Sequence, residues 1–76
     1  MKFVVIVKPK KGVLDPQGVA IKKVAEGYLN KPILSIKSGK YFEVEIDSDN
    51  AENVIEELAS KILSNEVIED YEVKKL

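Results

Sequence analysis

The chain has 76 residues, a formal net charge of −1, and neither cysteine nor histidine nor arginine. This length allows one small domain over residues 1–76, which buries only about 60% of the surface of the unfolded chain and therefore has little stability of its own. The missing residue types exclude disulfides, zinc sites and the usual catalytic triads, so we predict no catalytic, cofactor-binding or metal-binding residue and expect oligomerisation to stabilise the fold.

The first predicted element is a strand over residues 2–8 (KFVVIVK). It is rich in β-branched residues and ends at Pro9, which has no N–H group to donate to a neighbouring strand. Val4 and Ile6 point to one face, and the opposite face carries Phe3, Val5 and Val7. Apolar side chains on both faces are typical of a strand that is covered on both sides.

A helix is predicted from Asp15 to about Leu29. Asp15 is a typical N-cap residue, and Pro16 is favoured in the first helical turn. Asn30 and then Pro32 end the helix. Apolar residues recur at a helical spacing and form one stripe that we expect to face a sheet: Ile21, Val24, Ala25 and Tyr28.

The next segment, residues 33–46, predicts either one long bent strand or two strands. The alternating apolar positions are Leu34, Ile36, Phe42, Val44 and Ile46. Their alternation continues across residues 38–40, which favours one strand, because a two-residue hairpin would mix the two faces. A three-residue loop would also keep the alternation, so a split, ferredoxin-like arrangement remains open. We expect Gly39 to form a bend, because glycine adopts backbone conformations that other residues avoid. We also interpret this bend as a corner that directs half of the strand toward a partner chain.

A second helix is predicted to begin at Asp49, with Glu52 completing a capping box, and to run to about Ser64. Its apolar stripe consists of Val54, Ile55, Leu58, Ala59 and Ile62. Asn65 suits the left-handed conformation that stops a helix. The imperfect alternation of residues 67–73 (VIEDYEV) predicts a final strand.

The element order β-α-β-α-β predicts an α+β two-layer sandwich with a long bent middle strand and both helices on one sheet face. Two helices in so short a chain cannot cover both faces of the sheet. The face left open would carry four apolar side chains, which are our interface candidates: Val4, Ile6, Ile33 and Ile68. Because burying these side chains in a partner is favourable, we expect a homodimer or a tetramer.

Two charged segments are candidate binding sites. Residues 8–12 (KPKKG) precede a helix N-terminus, which favours anions, although lysines in a loop are usually just solvated. Glu43, Glu45 and Asp47 share a strand face and could bind a hard cation, although such acidic faces more commonly provide solubility. We therefore predict solvated surfaces rather than binding sites for both segments, and the cation site has the weaker case of the two.

The composition also limits the partners and the location of the chain. A net charge of −1 without arginine argues against nucleic acid, and Phe3, Tyr41 and Phe42 do not form the paired aromatic platform of single-stranded RNA binders. The longest apolar run near the N-terminus, residues 3–7, is too short for a membrane span or a signal peptide. We expect a cytoplasmic protein.

Three segments together resemble the PurS subunit of phosphoribosylformylglycinamidine synthase. They are residues 8–18 (KPKKGVLDPQG), 39–44 (GKYFEV) and 65–73 (NEVIEDYEV), and their order and spacing match across the whole chain. The sequence departs from that family at Glu66, where proline is frequent, and in the first loop, which has two lysines. Asp15, Pro16 and Gly39, which have structural roles in our prediction, are all present.

The resemblance implies a non-catalytic assembly subunit of a carbon–nitrogen ligase in purine biosynthesis. Such a subunit bridges a glutaminase subunit and a large synthetase subunit and assists the transfer of ammonia between them. ATP and magnesium are then expected on the large partner, and no cofactor is expected in this chain. The competing hypothesis is a ferredoxin-like regulatory domain that binds a small molecule, which analogy of fold alone supports.

Overall fold

The computed structural model describes residues 1–76 and contains the predicted order of elements. The second helix continues into a π-helical segment. The elements are β1 (Lys2–Pro9), α1 (Pro16–Leu29), β2 (Lys40–Glu45), α2 (Ala51–Leu58), the π-helical segment Ala59–Leu63, and β3 (Glu69–Lys75). One antiparallel sheet and two helices confirm the α+β fold class. No helix has the length and apolar character that crossing a membrane requires.

The three strands form a sheet in the order β2-β1-β3, with β1 antiparallel to both neighbours. Val5 lies opposite Phe42 on one side and Val73 on the other. Because side chains alternate along a strand, Phe3, Val5 and Val7 share one face of the sheet. Val4 and Ile6 lie on the opposite face, as the alternation predicts.

The core lies between β1 and α2. On the strand side it consists of Phe3, Val5 and Val7, all of which are buried. On the helix side it consists of Ala51, Ile55 and Ala59, which are four residues apart and therefore lie on one face of the helix. This small cluster is the only core of buried apolar residues in the single chain, and it lies between α2 and the sheet.

The first helix does not pack on the sheet in the single chain, in contrast to our expectation. In the predicted stripe, Val24 is 73% exposed and Tyr28 is 86% exposed. The reason lies in the connections: β1 ends at Pro9, and β2 begins at Lys40, which is paired with Val7. Residues 10–39 therefore leave the sheet and return to the same end of it, and we call them the α1 arm. The molecule measures 52 × 24 × 14 Å as a result.

The expected long middle strand is wrong in its extent, because only Lys40–Glu45 is a strand. Residues 33–39 pair with no strand and lie in the arm. Groups outside the sheet form some of their backbone hydrogen bonds. Ile33 N–H donates to Oε2 of Glu26 at 2.9 Å. The backbone conformation expected for Gly39 is also wrong, since the only glycine with a positive φ is Gly12, at 87°.

The start of α2 differs slightly from the prediction. The N-cap is Asn50, one residue after Asp49, and it makes no side-chain capping bond to the helix. Instead, Nδ2 of Asn53 donates to Oδ1 of Asn50 at 2.6 Å. Asn53 thus occupies the acceptor that a capping N–H group would use.

The end of this helix also differs. Asn65 is not left-handed, and the final turn is instead closed by Oγ of Ser64, which donates to the carbonyl oxygen of Ala59 at 2.8 Å. The backbone N–H groups of Ile68 and Glu69 both donate to the carbonyl oxygen of Asn65. That turn delays β3 to Glu69, two residues later than predicted.

Candidate functional site

The base of the α1 arm is closed by Asp15, which accepts three hydrogen bonds. Its Oδ1 accepts from the N–H of Gly18 at 3.1 Å and from Oγ of Ser38 at 2.7 Å, and its Oδ2 accepts from the N–H of Ser38 at 2.6 Å. These donors, and the backbone N–H of Ser38 most of all, lower the pKa of the Asp15 carboxyl. Pro16 follows as the first helical residue. Asp15 is therefore the predicted N-cap, and it also ties the start of the arm to its end.

Two glycines allow the chain to cross itself tightly at the same place. A Cβ on Gly39 would lie 2.6 Å from the carbonyl oxygen of Val7. A Cβ on Gly18 would meet the carbonyl oxygen of Ile36. Both positions exclude larger side chains by close approach of the backbone, which is a different requirement from the bend predicted for Gly39.

The outer part of the arm presents an apolar surface, which we call the arm surface and define by Ile21, Val24, Tyr28 and Leu34. Leu34, which is predicted to face the sheet, is 98% exposed. Ile21, Val24 and Tyr28 share one side of α1 by their spacing, and exposed apolar side chains grouped in this way mark an interaction site. The sequence contains one signal for this: Val19 and Leu29 lie outside the predicted stripe, and a helix that is apolar on several sides needs more than one neighbour.

Of the four predicted interface residues, only Val4 and Ile6 lie side by side on the sheet. Val4 is only 5% exposed in the single chain, and it lies between Glu43 and Lys74 in the register. Ile6 lies next to it on the same face and is partly buried. Ile33 lies in the arm, and Ile68, 43% exposed, lies in the turn before β3. The sheet face opposite α2 therefore offers a smaller apolar area than predicted.

The acidic residues do not form a site with evident chemistry. No group of three or more carboxylates is placed to bind a metal ion. Glu43, Glu45 and Asp47 therefore do not form such a group. One carboxylate links α2 to the sheet, because the hydroxyl of Tyr71 donates to Oε2 of Glu56 at 3.1 Å. This hydrogen bond, and secondly burial, raise the pKa of Tyr71.

Comparisons with known proteins identify the family of this chain. Residues 2–76 match the family model described as PurS, phosphoribosylformylglycinamidine (FGAM) synthase. The PurS subunit of Methanocaldococcus jannaschii is 36% identical over 76 residues, which are 96% of this chain and 92% of that protein. The crystal structure of Bacillus subtilis PurS superposes with a TM-score of 0.82 at 32% identity, covering 97% of this chain and 96% of that one.

A further match is a chain in the structure of PurLQS from Thermotoga maritima. It has a TM-score of 0.71 and 29% identity, and the match covers 99% of this chain and 95% of that chain. Family model, relatives and structures thus agree over nearly the full length. The chain therefore belongs to the PurS family, the small subunits of phosphoribosylformylglycinamidine synthase in purine biosynthesis.

Proposed function

We propose that this chain acts as a homo-oligomeric assembly subunit that holds a glutaminase subunit and a large ATP-dependent synthetase subunit of the FGAM synthase together. The observation that carries this proposal is the α1 arm, whose apolar surface has no cover in the single chain. In this proposal ATP and magnesium bind to the large subunit. This chain holds the other subunits in position and supplies no reacting group.

The exposed area supports self-association. A folded monomer of 8.5 kDa is expected to expose about 4,650 Å². This chain exposes 5943 Å², which is about 1,300 Å² more than that expectation. A standard interface buries about 800 Å² on each partner, so the excess is sufficient for a stable dimer.

The shape leads to the same conclusion. The radius of gyration is 15.8 Å, whereas a compact domain of this length has one of about 11 Å. The arm accounts for the difference because it projects away from the core. We infer that a second copy covers the arm surface, since a two-fold symmetric contact buries the same apolar patch on both chains.

A rigid bridge suits a reaction that passes ammonia between two active sites. Ammonia released into water is protonated and diffuses away, so two active sites benefit from being held in fixed register. A paired module can do this without catalytic residues, because self-association uses the arm surface and leaves the rest of the chain free for the other subunits.

The proposal is tested by reconstituting the complex from the three purified subunits and omitting this chain. We expect omission to abolish the glutamine-dependent reaction and to leave the reaction driven by added ammonium salt, because only the first needs ammonia transfer. Size-exclusion chromatography with mass measurement should show all three subunits in one complex. Full glutamine-dependent activity without this chain, or failure of the three to associate, would contradict the proposal.

A further inference from the structure

A large cavity lies where β1 ends and the α1 arm begins and returns. Its volume is about 610 Å³, which lies within the range of about 300–1,000 Å³ that is usual for small-molecule sites. Residues from the end of β1, the loop that follows it, the returning part of the arm and the start of β3 line it. Its polar lining is dominated by five lysines: Lys8, Lys10, Lys11, Lys37 and Lys40.

Only part of this positive charge is neutralised. Two aspartates also line the cavity: Asp70 lies 3.9 Å from Nζ of Lys10, and Asp15 is engaged by its capping hydrogen bonds. Lys40 lies 3.9 Å from a carboxylate oxygen of Glu69. The three remaining lysines form no ion pair: Lys8, Lys11 and Lys37. Positive charge is thus concentrated here in a chain whose net charge is −1.

The remaining walls suit a ligand that has a flat apolar part. Gly12 and Gly39 have no side chains, so a ligand can approach the backbone closely there. Tyr41 is 61% exposed and lines the cavity together with Ile6 and Pro9. An exposed aromatic ring next to lysines offers a surface for a base and cations for phosphates.

We propose that this cavity binds a nucleoside di- or triphosphate, with Lys8, Lys11 and Lys37 at the phosphates and the ring of Tyr41 against the base. Lysine binds phosphate as a point charge, so the site needs no arginine. Its affinity for a ligand is expected to rise with the number of phosphate charges. The concave arrangement of lysines from separate segments favours a compact ligand over an extended acidic peptide, which is usually bound along a strand edge or in a groove. The proposal does not depend on the assembly role.

The test is calorimetric titration of the full-length chain with ATP, ADP, adenosine and pyrophosphate. We expect ADP and ATP to bind at least tenfold more tightly than adenosine, which lacks the charge, and more tightly than pyrophosphate, which lacks the base. Affinity for ATP should fall as the salt concentration rises, because exposed charges are screened. Equal binding of adenosine, tighter binding of pyrophosphate, or no heat with ATP at millimolar concentration would overturn the proposal.

Matched variants locate the site. We expect Lys37→Glu and Lys11→Glu each to weaken ATP binding by tenfold or more, and Tyr41→Ala to weaken ADP binding about tenfold while pyrophosphate binding is unchanged. Lys61→Glu, which makes the same charge change on the distant π-helical segment, should leave affinity unchanged. Melting curves confirm that each variant is folded. If all four bind ATP alike, or if the lysine variants lose only their association with partner subunits, nucleotide is not the occupant.

Discussion

The carboxylate of Asp15 joins the two ends of the α1 arm through the N–H and hydroxyl groups of Ser38 and the N–H of Gly18. All three donors favour the charged form, which is why the pKa of Asp15 lies below the ordinary value of 3.8. A group whose pKa is lower in the folded state stabilises the fold above its unfolded pKa. That contribution is lost as the pH falls below about 4, through the folded pKa.

We therefore predict that Asp15→Asn lowers the free energy of unfolding at pH 7 and makes stability less sensitive to pH below 4. The amide keeps one acceptor but loses the charge that strengthens these hydrogen bonds. Urea denaturation at pH 7 and pH 3 measures both effects. Asp49→Asn is the control, because the Asp49 carboxylate makes no hydrogen bond or ion pair in the structure. Identical pH dependence in Asp15→Asn and the wild type would contradict the assigned role.

A second residue-scale prediction concerns two glycines in different surroundings. Gly39→Ala should destabilise the fold by roughly 1–3 kcal/mol, because the added Cβ meets the backbone oxygen of Val7 and forces β2 away from β1. Gly27→Ala should instead stabilise α1 by roughly 0.5–1 kcal/mol, because the space around Gly27 is open. Thermal and urea unfolding of both variants decide the matter, and a neutral Gly39→Ala would refute the close approach.

Single residues were predictable where their signal is local. Pro16, Asn30 and the hydrogen bond from Gly18 to Asp15 act within one helical turn, so sequence spacing alone identified the start and end of α1. The requirement at Gly39 was missed because it depends on Val7, which is distant in sequence and becomes its neighbour only through strand pairing. The same holds for Lys37, whose charge joins those of Lys8 and Lys11 only in the folded chain.

At the level of elements, periodicity predicted that α1 exists but not what it packs against. An apolar stripe indicates that a helix packs against a neighbour, but it does not indicate whether that neighbour belongs to the same chain. For α2 the expected neighbour was correct, because Ile55 and Ala59 bury against β1. For α1 the antiparallel return to β2 removed it from the sheet, and periodicity does not encode strand direction.

The helix-scale prediction is that Val24→Lys dissociates the oligomer and retains most of the helix content. A charge in the middle of the arm surface cannot be buried in a partner, whereas the exposed helix tolerates it in the single chain. Analytical ultracentrifugation and circular dichroism measure the two quantities. Lys23→Glu is the matched control, because it changes a charge on the opposite side of the same helix. An oligomer of unchanged size in Val24→Lys would show that a different surface mediates self-association.

For the whole molecule, composition predicts a small domain that needs partners, and the single chain exposes 5943 Å². The fold class followed from element order. The identity of the exposed face did not follow, because the predicted candidates assumed that α1 would lie on the sheet. Val4 is instead buried within the chain, whereas Val24 and Tyr28 in the arm are exposed.

We predict that the melting temperature of the wild type falls by several degrees on hundredfold dilution. If folding and association are coupled, this dilution reduces stability by about 2.7 kcal/mol of dimer through mass action. Differential scanning fluorimetry and calorimetry over that range of concentration provide the measurement. A melting temperature that is independent of concentration would show that the chain is stable as a monomer with its arm exposed.

The strand order β2-β1-β3 also has a consequence for the time at which the fold can form. The central strand is the first of the three along the chain, yet one of its two neighbours is β3, so Phe3 can pair with Lys75 only after β3 is available. Until then β1 has at most β2 beside it, and two-stranded ribbons are only marginally stable in water. Sequence-distant pairings of this kind also slow folding. Completion of the sheet is therefore a late event in folding, and β1 presents an open apolar strand edge until β3 pairs with it.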